Sequence, residues 1–336
     1  MIVTISKDGK PVNTQKVINL PQYTFLVPAG WSRNNTIGLH LVNPRFQAIY
    51  TVPFPGGKAT QVTPDGYANN PCWSADGKRI LYRWEDQLRS VPKKGGESSR
   101  IPIESEERTF EVLPGGGNHI SPDGKRLLFA GYTPGDEEGG ILVHLMVMPV
   151  EGGKPEVITQ SLTQDRFPCW SPDGKSIAFI RYHGNSKGNI AINVFTVPAG
   201  GGDIKQITLA QDSVQWSSIK YTPDGNHIAY YSRDKSIKLI PVHGGESKEL
   251  VKVESLNSHN EILMLKDGKH MAYTADGKIW MVPLTGGEPI QIETGLSDWY
   301  HSQIDQSPDG KTIVFTAFTG GDSDLWLMEN FLPKTE

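Results

Sequence analysis

The chain repeats itself, and the repeat limits its possible folds more than any other feature. Phe167–Phe179 reads FPCWSPDGKSIAF, and Pro71–Leu81 reads PCWSADGKRIL. Aligning on the Asp-Gly of this phrase gives seven registers, centred on Asn34, Asp76, Asp123, Asp173, Asp224, Asp267 and Asp309. The intervals are 42, 47, 50, 51, 43 and 42 residues. A second phrase keeps step with the first: a hydrophobic strand, Pro, two residues and Gly-Gly, at Pro53, Pro92, Pro149, Pro198, Pro241 and Pro283. Two phrases in one register mark a repeat architecture, in which each unit buries its apolar face against its neighbours.

Each unit parses into four strands. An inner strand runs into S-P-D-G, where Asp-Gly supplies the tight hairpin turn that positive backbone angles require. An apolar strand such as SIAFIRY or RLLFAGY follows, then a third, such as AINVFTVP, rich in β-branched and aromatic residues. Gly-Gly turns the chain into a fourth, as in KATQVT or DIKQIT. No amphipathic helix of convincing length interrupts the pattern. Four-stranded units of this size are the cue for an all-β, seven-bladed β-propeller, a single domain over residues 1–336.

The seventh unit lacks a fourth strand, and KPVNTQKVINL near the N-terminus resembles one. The N-terminal strand is therefore expected to complete the last blade, which removes exposed sheet edges. MIVTIS would add a fifth, outer strand. Six blades is the alternative, because Asn34-Asn35 replaces Asp-Gly in the first unit.

Composition narrows the partners. A net charge of −4 with no basic cluster gives no reason to expect nucleic acid or an anionic membrane. No apolar run is long enough to span a bilayer, and no signal peptide opens the chain. A closed ring exposes no sheet edge, so a monomer is expected. Cys72 and Cys169 occupy the same position in blades two and four, with a blade between them. Both are read as reduced, buried and small, with no bond between them. Trp73 and Trp170 beside them are expected to pack between blades.

W-S-P-D-G-K followed by an apolar strand and a Pro-x-x-Gly-Gly turn resembles the TolB-type repeat of tricorn-like propellers. The resemblance covers nearly the whole chain and implies fold more than activity. Its members include exported protein-binding scaffolds, propellers that gate serine peptidases, and polysaccharide lyases, so a periplasmic or exported location is implied. TolB carries an N-terminal α/β domain for which this chain has no room. The peptidases carry Gly-x-Ser-x-Gly, and no such pentapeptide occurs here.

Chemistry on such a fold is expected at the channel mouth. Eight residues before the turn position lie Asp165, Trp216, His259 and His301; six before lie Asn70, Phe167, Ser218, Glu261 and Gln303. Residues two apart on a strand share a face, which would set His259 with Glu261 beside His301 with Gln303 in neighbouring blades. These four suit a divalent transition metal, or an acid–base pair. The resemblance adds that oligogalacturonate lyases hold manganese through histidines and a glutamine, to which His301-Ser302-Gln303 is similar. A bland alternative is that the histidines cap loops at the rim. Arg166 suits a carboxylate, while Trp216, Trp299 and Tyr300 suit a sugar ring or a peptide. Glu104–Gly117 is the longest connection between blades, readable as a lid or as a solvated acidic loop. One carboxylate per S-P-D-G turn is too few for calcium, so those aspartates are assigned to turn formation.

Two functions compete. The preferred one is a non-enzymatic module that captures a protein segment or oligosaccharide at the rim and requires no cofactor. The other is a lyase or hydrolase acting on an acidic saccharide through the His259/His301 cluster, with or without a metal.

Overall fold

One glycine and one hydroxyl build the turn that spaces the repeat. Gly77, Gly124, Gly174, Gly225 and Gly268 take φ of +66°, +76°, +69°, +74° and +70°. Each of these glycine N–H groups donates to the carbonyl three residues back. The preceding aspartates do not share the positive φ, so the hairpin is wider than the two-residue turn expected from Asp-Gly. The hydroxyls of Ser74, Ser121, Ser171 and Thr222 donate to Asp76, Asp123, Asp173 and Asp224 at 2.5–2.7 Å. Each carboxylate also accepts the backbone N–H two residues on, at 3.0–3.1 Å. The hydroxyl above all, then that N–H, holds these carboxyls below their ordinary range. The aspartates are turn formers. In the first unit Asn35 takes φ +50° where glycine stands elsewhere, which asparagine tolerates, and the hairpin forms regardless.

The computed structural model describes residues 14–16, 25–43, 46–53, 60–64, 66–85, 87–104, 110–111, 119–134, 141–160, 164–184, 190–209, 212, 214–256, 260–294, 300–307, 312–319 and 322–329. The chain is all-β: the described strands number 28 and fall into antiparallel groups of four, with no α-helix among the described residues. Among the described residues no helix is long and apolar enough to cross a membrane.

Two compact bodies share the strands. The first takes Met1–Glu85, Arg89–Ser99 and Glu254–Glu336; the second takes Asp86–Leu88 and Arg100–Val253. The first body holds repeats one, two, six and seven, whose inner strands are Phe25–Trp31, Ala68–Trp73, Ile262–Met264 and Tyr300–Gln306. Repeat seven is completed by Thr14–Lys16, which pairs antiparallel with Asp322–Glu329 (Thr14 opposite Met328, Lys16 opposite Trp326), as its sequence led us to expect. MIVTIS lies outside the described residues. The second body holds repeats three to five. Repeats three and four join into one eight-stranded sheet through a parallel pairing of Val143 with Gln164. The connection Glu104–Gly117 contains a short strand, Phe110–Glu111, paired with Arg126–Pro134; most of the rest of that stretch lies outside the described residues.

Apolar alternation places each core between strands. In the second body Leu128, Leu145, Trp170, Phe179 and Phe195 pack together; in the first, Ala272, Ile279, Ile304, Ile313 and Phe315 do so. In three repeats a threonine ends the fourth-strand phrase and closes the edge: Thr63, Thr159 and Thr208 accept the backbone N–H of Ile49, Leu145 and Val194, each at 2.9 Å. This satisfies donors that a short fourth strand leaves unpaired. Cys72 and Cys169 are buried and free, as expected.

Candidate functional site

Nearly every inner strand is interrupted at one place. Its pairing with the second strand shifts register between Pro28 and Gly30, Asn69 and Cys72, Arg166 and Cys169, Val214 and Ile219, and Ser302 and Ile304. Inside two of these bulges a non-glycine residue adopts the left-handed region: Asn70 at φ +50° and Phe167 at φ +51°. Both stand six residues before their turn aspartates. A bulge breaks the period-two alternation, so in repeat four the residues eight and six before the turn meet different surroundings.

Asp165 and Phe167 show the consequence. Asp165 is 0% exposed and faces Arg181 on the next strand, which grips it with Nε at 2.7 Å and Nη2 at 2.9 Å. The Arg181 guanidinium lies over the rings of Phe179 and Phe195, 5.3 and 5.1 Å from their centroids. Phe167, beyond the bulge, packs on a different cluster with Cys169, Ile180 and Ile219. Arg166 between them is half-buried.

In the first body, polar side chains lace one inner strand to the next. Glu261 is buried, and its Oε2 accepts the Ile304 N–H at 3.2 Å. Its own N–H donates to Thr274 Oγ1 at 2.9 Å, and its carbonyl accepts the Thr274 N–H. Asp305 accepts the N–H of Trp31 at 2.6 Å and of Gln306 at 2.8 Å. Trp73 Nε1 donates to the Gly30 carbonyl at 2.9 Å. The inner strands of repeats six, seven, one and two therefore stand in that order. In the second body Trp170 Nε1 donates to the His119 carbonyl at 3.2 Å, the same tie between equivalent repeat positions, and Arg126 lies 4.7 Å over the Trp170 ring. Both tryptophans join adjacent repeats, as the sequence suggested.

The remaining candidates divide by what is described. Asn70 is half-buried at its bulge. Trp216 lies on Val214–Tyr221, and Tyr300, His301 and Gln303 lie on Tyr300–Gln306 with His301 opposite Ala317; their side chains are outside the described residues. His259 and Trp299 lie outside them altogether. Among the described residues no three His, Cys, Asp or Glu side chains gather as metal ligands. Of the four expected ligands only the Glu261 side chain is described, and one of its oxygens is already bonded to backbone.

At the position seven residues before the turn, only Arg166 stood out in the sequence. Asn69 Oδ1, Ser217 Oγ and Asn260 Nδ2 are buried with no hydrogen-bond partner among the described residues. Each stands seven residues before its turn aspartate. Across the repeats that position also holds Val27, Gly116, Arg166 and Ser302, so no single residue type marks it.

No family model matches the chain. It is 26% identical over 200 residues to an uncharacterized peptidase, YuxL, of Bacillus subtilis, covering 59% of this chain and 28% of that protein. It is 27% identical over 191 residues to the uncharacterized protein Atu1656 of Agrobacterium fabrum, covering 54% of this chain and 61% of that one. The chain thus spans less than two thirds of either relative. Among solved structures it resembles an oligogalacturonate lyase from Vibrio parahaemolyticus, with TM-score 0.74 at 16% identity over 97% of this chain and 95% of the other. An oligogalacturonate lyase in complex with manganese gives TM-score 0.72 at 15% identity over 98% and 96%. A putative TolB from Agrobacterium tumefaciens gives 0.50 at 20% identity over 81% and 94%. The fold is a β-propeller. At these identities the likeness speaks for the propeller scaffold alone, and a propeller's activity is set by its site.

Proposed function

We propose that this TolB-like propeller is a binding module that captures a glycan or a protein segment at its inner strands. The observation that carries the reading is the fate of the two carboxylates expected there. Asp165 is held by both nitrogens of a stacked arginine. Glu261 Oε2 is bonded to a strand N–H. A general acid or base must exchange its proton with a substrate atom within hydrogen-bond reach. Carboxylates tied into the scaffold instead set strand positions, and Asn69, Ser217 and Asn260 offer neutral amide and hydroxyl groups for recognition. The reading is tested by calorimetric screening of the intact chain against oligosaccharides and extended peptides. Saturable binding with the ligand recovered unchanged supports it; turnover of any of them overturns it.

A second reading, a lyase of acidic saccharides, draws on Tyr300–Gln306. That strand carries His301 and Gln303, and its Ile304 N–H binds Glu261. Similarity over nearly the whole chain to a lyase solved with manganese agrees with it. A bound divalent metal would polarise an acidic sugar's carboxylate. Elemental analysis of unchelated protein and of His259→Ala/His301→Ala decides it: near-stoichiometric metal lost in the variant favours the lyase, and no metal in either removes the metal-dependent form.

A further inference from the structure

Resting on the binding reading above, we infer that Tyr67, Asn69 and Asn260 form a contact surface for an extended, hydroxyl-rich oligosaccharide. Leaving a buried amide atom unpaired costs stability. Asn69 and Asn260 each leave one at the same position, seven residues before their turns.

The geometry at Asn69 is specific. Its Nδ2 donates to the Tyr67 carbonyl at 3.2 Å, which fixes the amide and makes Oδ1 the free end. Tyr67 is 63% exposed, an unusual degree for a large ring among the described residues. An exposed ring two residues from an unpaired amide joins a stacking face to a hydrogen-bonding group, the combination that grips a pyranose.

Charge and spacing narrow the ligand class. Asn69 offers an acceptor and Asn260 a donor, and neither is ionic. A sugar hydroxyl satisfies either by turning its O–H bond. An anion such as phosphate would set lone pairs against Asn69 Oδ1. The inner strands of repeats six, seven, one and two are consecutive neighbours, so Asn260 and Asn69 bracket a run of four. A ligand touching both spans several sugar units. Contact with a ligand requires each amide to turn outward, for Asn69 with loss of its bond to the Tyr67 carbonyl.

The test is calorimetry with neutral and uronic oligosaccharides of graded length, together with thermal melting. The proteins are the wild-type chain, Tyr67→Ala, Asn69→Leu and Asn260→Leu. Longer oligosaccharides are expected to bind the wild type. Tyr67→Ala and Asn69→Leu should weaken binding about tenfold or more, a loss of about 1.4 kcal/mol. Asn260→Leu should melt at or above the wild-type temperature, because the apolar replacement removes an unpaired polar atom, whereas Asn69→Leu also gives up the bond to the Tyr67 carbonyl. Replacing a purely structural Asn260 would lower that temperature. Tyr67→Ala changes an exposed side chain, so it remains informative if a leucine variant fails to fold. Saccharide binding unchanged in all three variants overturns the inference and leaves the binding reading standing. Peptide binding in place of saccharide also overturns it. If no saccharide or peptide binds the wild type, the binding reading itself fails.

Discussion

The Asp305 carboxylate accepts the backbone N–H of Trp31 at 2.6 Å, joining positions 274 residues apart in sequence. Its other oxygen accepts the N–H of Gln306 at 2.8 Å. The last repeat and the first are held together by one side chain acting as a double acceptor.

Asp305→Asn is therefore not conservative. Asparagine has one acceptor oxygen and would turn an NH2 toward one of the two N–H groups. The expected loss is about 1–3 kcal/mol in urea unfolding, close to that of Asp305→Ala. Gly30→Ala should cost a similar amount from the other side. Gly30 sits at φ +93°, and an added Cβ would lie 3.2 Å from Asp305 Oδ2.

The Asp165–Arg181 pair should behave as a buried ion pair. Arg181→Met strands a fully buried carboxylate and is expected to destabilise by about 3–5 kcal/mol. Asp165→Leu/Arg181→Met should recover most of that loss. A double variant as unstable as the single one would show that Arg181 acts mainly through its stacking on Phe179 and Phe195.

His40 gives a pH dependence. It is buried on Thr36–Asn43 and bonded to Gln47 at 3.2 Å; burial outweighs that bond and lowers its pKa from 6.5 to about 4. The unfolded chain holds the extra proton between those values. The stability in question is thus fully present above pH 6.5 and is lost as pH falls toward 4. The loss approaches about 3 kcal/mol. Unfolding midpoints measured across that window should fall for the wild type and fall less for His40→Leu.

Cys72 and Cys169 should resist alkylation in the native protein. Burial raises the first thiol to about 12 and the second to about 11, so each lacks both access and thiolate character. Mass spectrometry after iodoacetamide should show neither modified until denaturant is added.

The scaffold was legible because each repeat position is under a local constraint that residue type records. Asp173 and Gly174 make a turn, Pro198 precedes one, and Ile177 to Phe179 fill a core. The site was less legible because the inner strands break the rule used to read it. A bulge has no fixed residue type: Asn70 and Phe167 share a backbone conformation with unrelated side chains. The partner of Asp165 is Arg181 on the second strand, at a position that counting back from the turn never samples. Asn69 and Asn260 escaped because burial without a partner is a property of packing, invisible in a list of residue types.

The most direct measurement is to incubate the intact chain with acidic and neutral oligosaccharides, with and without manganese, following heat of binding and product together. Saturable binding with every oligosaccharide recovered intact is expected. Shortened products carrying a new carbon–carbon double bond would contradict the binding module and establish a lyase.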